Sequence, residues 1–98
     1  MKAITIQSNE VLDEALQTEV HHTFGMEHYT DYVFKPRGDR KYSATLVMKD
    51  SKELLHNVEE GSKTFPDQVF IVEVLDTDSN VVKKYIIQEG TLLKITNR

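Results

Sequence analysis

The chain has 98 residues, of which 39% are hydrophobic and 29% are charged, so it has the size and composition of one compact domain with a single core. Its 12 Lys and Arg against 16 Asp and Glu give a net charge of −4, which provides no global attraction to nucleic acid or to an anionic membrane. Because there is no cysteine, disulfides, thiolate nucleophiles, Cys-ligated zinc and iron–sulfur clusters are all excluded.

The N-terminal segment lacks the features of a secretory signal, because polar residues 7–10 follow before an apolar segment can develop. The longest apolar run, residues 69–75, is interrupted by Glu73 and is far shorter than the ~20 residues that cross a bilayer. We therefore expect a cytoplasmic protein with no membrane partner.

The first predicted elements are a short strand and a helix. Ile4 and Ile6 alternate with less apolar neighbours, which is a strand pattern, and Ser8 or Asn9 then offers a side-chain oxygen that can cap a helix. Apolar residues recur at helical spacing further on, and a glycine follows them. This pattern predicts a helix over 9–24.

A β-hairpin is predicted from Tyr29 to Met48, where the hydrophobic period changes to two. The segment 35–38 has Pro and Gly at the positions that a type I turn with a following bulge favours. A three-residue connection of this kind sets Tyr32 opposite Tyr42. One face of the hairpin then carries the bulky side chains Tyr32, Phe34, Tyr42, Ala44, Leu46 and Met48.

The second half of the chain begins with a short helix, because Asp50 and Glu53 form a capping-box pattern and Gly61 supplies a stop. A loop follows, and alternating or apolar segments separated by polar turns then predict three strands. Their expected ranges are 68–75, 81–88 and 91–96.

The element order is therefore β-α-β-β-α-β-β-β, which predicts an α+β fold. We expect a two-layer sandwich with a mostly antiparallel sheet and both helices on one face. The first six elements match the split β-α-β pattern of ferredoxin-like domains.

Two helices cannot cover both faces of such a sheet, and the uncovered face is predicted to be partly apolar. If Phe70, Val72 and Val74 face the helices, their neighbours face away, and pairing of the last strands sets Glu73 opposite Lys84. Such a patch is typical of a dimer or partner interface, unless the final strand or sheet curvature shields it. The candidate partner-binding residues are Val69, Ile71, Glu73, Leu75, Val82, Lys84 and Ile86.

A second candidate site is the basic tip of the predicted hairpin. Basic groups beside aromatic rings suit single-stranded nucleic acid, because the cations contact phosphates and the rings stack on bases. A solvated turn explains the same residues. The candidate nucleic-acid-binding residues are Lys35, Arg37, Arg40, Lys41 and Tyr42.

A third candidate is a metal-dependent or acid–base site. Glu19 is expected to project into the apolar stripe of the first helix, with His22 at the stripe's edge, whereas His21 and His56 are expected in solvent. Glu19, His22, His28 and Asp31 together form the candidate cluster, although a helix end that overhangs the sheet and reaches water explains the same residues and is the favoured interpretation.

The sequence therefore favours a small non-enzymatic binding or regulatory protein, a profile that fits small accessory proteins of bacteria and their viruses. We expect it to contact a protein partner or its own copy, with no cofactor, no catalytic residue and no metal. Nucleic-acid binding through the hairpin and chemistry at the His22 cluster remain the alternatives.

Overall fold

A computed structural model describes residues 2–29 and 32–97. Within these residues the chain forms six strands, two helices and one short 3₁₀ turn, in the predicted order. The elements are β1 (Lys2–Val11), α1 (Glu14–Thr23), the 3₁₀ turn (Met26–His28), β2 (Tyr32–Phe34), β3 (Lys41–Met48), α2 (Lys52–Ser62), β4 (Val69–Leu75), β5 (Val81–Gln88) and β6 (Thr91–Asn97).

The six strands form one sheet in the order β2-β3-β1-β4-β5-β6, and all neighbours are antiparallel. One strand, β3, lies between β1 and β2, as the split β-α-β pattern requires. Strands β5 and β6 then extend the sheet at the side of β4. The predicted α+β class and antiparallel sheet are confirmed.

The core lies between one face of the sheet and the two helices. Alternate residues of each strand point to the same face, so the strand period of two separates a buried set from an outward set. From the helices, Val20 and Phe24 of the α1 segment and Leu54 and Val58 of α2 pack onto the sheet. The strands contribute Ile4, Ile6, Tyr42, Ala44, Leu46, Phe70, Val72, Val74, Tyr85 and Ile87.

The first helix begins later than the sequence predicts, because β1 continues to Val11. Ser8, one of the two expected caps, is buried in the sheet, where its Oγ accepts the N–H of Tyr42 at 2.9 Å and donates to the Glu10 carbonyl at 2.7 Å. Asp13 caps α1 instead, and its Oδ1 accepts the N–H of Leu16 at 2.7 Å.

The predicted pairing of β2 with β3 is also wrong. Tyr32 lies opposite Leu46 and Phe34 opposite Ala44, so the connection is longer than three residues. The pairing differs by four residues from the predicted one, and an even shift keeps every side chain on its predicted face. Residues 35–40 form a broad loop at this end of the sheet.

Helix α2 continues through Gly61 rather than ending there. Gly61 is buried against the ring of Phe24, and a Cβ at this position would lie 2.8 Å from Phe24 Cε1. The glycine therefore allows α2 to approach the end of α1 closely. In the described part of the chain, neither helix is long and apolar enough to span a membrane.

Candidate functional site

The sheet face opposite the helices is not covered by any element of the described residues. On β4, Val69, Ile71, Glu73 and Leu75 lie on this face and are half-buried, whereas the alternating residues between them are in the core. This arrangement follows the predicted alternation. We call the surface formed by Val69, Ile71, Glu73, Leu75, Lys84 and Ile86 the open face.

The pairing of β4 with β5 is the predicted one at the centre of the open face. Ile71 lies opposite Ile86, and Glu73 lies opposite Lys84. The ion pairs found among the described residues lie elsewhere, so the two opposed charges are not within 4 Å of each other. Both line a cleft of about 410 Å³ whose other walls come from residues 79–83 and Thr96.

Val82 lines this cleft but also packs against the core, whereas the sequence predicts that it lies with the outward residues of the sheet. The register between β4 and β5 shifts after Val74, so Leu75 pairs with Val81 and the side chain of Val82 packs against the core. A bulge of this kind inserts one residue and changes the face of the side chains beyond it.

The outer edge of the sheet carries exposed apolar residues that the sequence pattern did not single out. Leu92, Leu93 and Ile95 of β6 have exposed fractions of 37%, 56% and 48%. Their apolar character is visible in the sequence, but their exposure follows from the position of β6 at the edge, while α2 packs against β4 and β5. An exposed apolar edge strand is a site where other chains can pair.

The four basic residues of the hairpin are exposed, as a surface site requires. Arg37 is paired with Asp39, with 3.2 Å between Nη2 and Oδ2. The other three line a second cleft, of about 230 Å³, at the β2–β3 end of the sheet. The residues around this cleft are Val33, Lys35, Arg40, Lys41, Ser43 and Thr45.

Tyr42, the aromatic member of the predicted nucleic-acid site, lies in the core and is 0% exposed. Its hydroxyl is 3.0 Å from Nδ1 of His21, and its ring packs at 90° against Phe24. Even-numbered residues of β3 face the helices, so Tyr42 points away from the basic groups. The prediction that Tyr42 stacks on bases is therefore wrong.

The loop of residues 35–40, here called the basic loop, is held in place by Gln17, a buried residue of α1. Its Nε2 donates to the backbone carbonyls of Leu12 at 2.7 Å, of Arg40 at 3.0 Å and of Arg37. The N–H of Leu12 also donates to the Arg40 carbonyl at 3.1 Å. One side chain thus joins the segment before α1 to two carbonyls of the loop. Its spacing from Val20 and Phe24 is the sequence signal for its burial.

His21 is buried, at 4% exposure, rather than in solvent as predicted. Its ring stacks on Phe34 with centroids 3.9 Å apart, and the ring of Tyr32 lies 5.0 Å away. Burial lowers the pKa of His21, although the negative charge of Glu27 acts in the opposite direction. Burial also raises the pKa of the Tyr42 hydroxyl, so the pair is a neutral hydrogen bond.

The proposed metal or acid–base cluster is not assembled by the residues that the structure describes. Glu19 is exposed instead of lying in the apolar stripe, because α1 buries Gln17 and His21 on that side. His22 pairs with Glu27 at 2.8 Å in solvent, and no group of three His, Asp or Glu residues within 2–29 and 32–97 is placed to hold a metal ion. Asp31 lies outside the described residues.

No model of a known protein family, no curated protein and no solved structure matches this chain.

Proposed function

We propose that this protein is a non-enzymatic binding protein that acts through protein–protein contacts made by its open face. The observation that carries the proposal is the aliphatic pair Ile71–Ile86 beside the opposed charges Glu73 and Lys84, on a face that neither helix covers. An apolar patch with a few defined polar groups is the usual composition of a protein interface.

The two charges give such a contact its orientation. Glu73 and Lys84 face each other across β4 and β5 without forming a close ion pair, so each can meet an opposite charge on a partner. A two-fold interface brings residue i to residue j and j to i. A second copy of the chain therefore supplies a lysine for Glu73 and a glutamate for Lys84, and a foreign partner with the same charge arrangement satisfies both groups equally well.

Light scattering after size-exclusion chromatography tests self-association from micromolar to millimolar concentration. We expect the wild-type chain to associate. Ile71→Lys or Ile86→Lys is expected to lower the association, because the interface would bury a lysine without an opposite charge to pair with. Val11→Lys is the matched control, since Val11 is 58% exposed and lies outside the open face.

If the chain stays monomeric, the same variants serve as baits in a pull-down. A partner that is captured by the wild type and by Val11→Lys, but lost with Ile71→Lys and Ile86→Lys, supports the open face as the interface. Equal capture by all four baits contradicts the proposal.

A further inference from the structure

The cleft of about 230 Å³ beside the β2–β3 hairpin has a strongly positive lining. Three of its six lining residues are Lys35, Arg40 and Lys41, and no acidic residue lines it. Ser43 and Thr45 add two hydroxyl groups from the outward face of β3. This concentration of positive charge occurs on a chain whose net charge is −4.

These three cations have no ion-pair partner among the described residues. Arg37 is the cation of the loop that is paired, with Asp39, and it does not line the cleft. An unpaired group of cations next to hydroxyl donors is suited to bind an anion, because charge-assisted hydrogen bonds are the strong ones.

Hydrogen bonds within the chain hold the backbone at Arg40, one of the residues that line the cleft. Gln17 donates to the carbonyls of Arg37 and Arg40, and the Leu12 N–H adds a further bond to Arg40. Gln17 is 1% exposed, so solvent competes little for these bonds. A preorganised loop lowers the entropic cost of binding.

We propose that this cleft binds the phosphoryl group of a phosphate monoester. The cavity is smaller than the ~300–1,000 Å³ of a site for a drug-sized ligand, and therefore fits one anionic group and the atoms that carry it. A phosphate monoester has a charge of about −1.5 to −2 at neutral pH and three acceptor oxygens. Arginine and lysine match these oxygens as donors, Arg40 with a planar fork and the two lysines as point charges.

A nucleic-acid backbone fits the cleft less well. Each phosphodiester carries a single charge, and binding of single strands depends on aromatic side chains on which bases stack. No aromatic residue lines the cleft, and Tyr42 is buried behind β3. The proposal is independent of the open-face contact, since the two sites share no residue.

Isothermal titration calorimetry at low salt tests the site with three probes, namely a peptide containing one phosphoserine, glycerol 3-phosphate and oligothymidylate, and with the unphosphorylated peptide as a control. We expect both monoesters to bind and the unphosphorylated peptide not to bind. Tighter binding of the peptide identifies a phosphorylated protein side chain as the source of the phosphoryl group, whereas equal affinities identify a free phosphate ester.

The variants Arg40→Ala and Lys41→Ala are each expected to lower the affinity by on the order of tenfold, the typical loss of one charged hydrogen bond. Arg37→Ala is the matched control, because it removes the same charge from the same loop and is expected to change the affinity by about twofold or less. Both cleft substitutions leave the backbone carbonyls bound by Gln17 in place.

Three results would overturn the proposal. The first is an equal loss of affinity for Arg37→Ala and Arg40→Ala, which indicates a diffuse field. The second is tighter binding of oligothymidylate than of either monoester, and the third is no binding of the monoesters at millimolar concentration.

Discussion

Gln17 provides the sharpest test of how α1 and the basic loop are joined, because leucine and glutamate both have about the size of glutamine but lack its N–H donors. Leucine fills the space without a donor, and glutamate keeps the shape but presents acceptor oxygens to the carbonyls of Leu12, Arg37 and Arg40. We expect the order of stability at neutral pH to be wild type, then Gln17→Leu, then Gln17→Glu.

The magnitudes follow from what remains bonded in each variant. In Gln17→Leu, the carbonyls of Arg37 and Arg40 still accept backbone N–H groups at 3.1 Å, so mainly the Leu12 carbonyl loses its partner. One buried acceptor left unpaired costs about 1–3 kcal/mol. In Gln17→Glu, a buried carboxylate without a donor costs about 3–5 kcal/mol, a large part of a typical domain's stability.

The pH dependence distinguishes the two variants further. The site raises the pKa of a glutamate at position 17 above its usual ~4.3, because burial and three carbonyl oxygens oppose the charge. The protonated form recovers one O–H donor. The stability of Gln17→Glu is therefore restored at pH values below about 4.3 and lost as the pH rises through the higher folded-state pKa.

Urea denaturation followed by far-UV circular dichroism, at pH 7.5 and at pH 5, measures both effects. Equal stability of the two variants at pH 7.5, or a gap between them that widens on acidification, would refute the hydrogen-bonding role of Gln17. Gln17→Leu should also weaken phosphoserine-peptide binding while the chain remains folded, because the loop loses the two bonds from Gln17 and keeps only its backbone bonds.

Three further predictions concern stability. Gly61→Ala should destabilise the fold, because overpacking against Phe24 costs about 1–3 kcal/mol and helix propensity returns only about 1 kcal/mol. In urea denaturation, the loss of stability caused by Gly61→Ala should be smaller in a chain that also carries Phe24→Leu. A Gly61→Ala chain that is more stable than the wild type would contradict the contact. Glu89→Asn should raise the melting temperature by relieving about 1 kcal/mol of backbone strain. Glu89 has a φ of 49° and Gly90 a φ of 75°, and turns with two positive φ angles favour Asn-Gly. An unchanged melting temperature would contradict this prediction. Burial lowers the pKa of His21, so the unfolded chain binds more protons and stability should fall as the pH drops below about 6.5. In thermal melts, His21→Phe should make the melting temperature depend less on pH. An equal dependence on pH in the wild type and in His21→Phe would contradict this prediction.

The sequence was most informative about features that depend only on the alternation of side chains along a strand. The β4 residues alternate strictly between core and open face, and the predicted pairing of Glu73 with Lys84 is confirmed. The hairpin side chains also keep their predicted faces although the pairing differs by four residues, since only an odd shift moves a strand's residues to the other face.

Helix boundaries and polar burial were predicted poorly, for one shared reason. Ser8 has the chemistry of a helix cap, but the chain uses it to bond β3 inside the sheet. With α1 starting at Glu14, its buried side shifts to include Gln17 and His21 and to exclude Glu19. A local sequence pattern indicates which hydrogen bonds and contacts a residue can form, but it does not indicate which neighbour the fold places beside that residue.

The sequence by itself determined the fold class, the element order and the alternating faces of the long strands, because these depend on short-range periodicity and on backbone geometry. Only the tertiary structure decided that the Tyr42 hydroxyl lies beside His21, that a bulge brings Val82 against the core, and that Lys35, Arg40 and Lys41 surround one cleft. These features depend on a bulge, on the length of one loop and on hydrogen bonds between residues 20 or more positions apart, and each results from long-range packing rather than from local sequence.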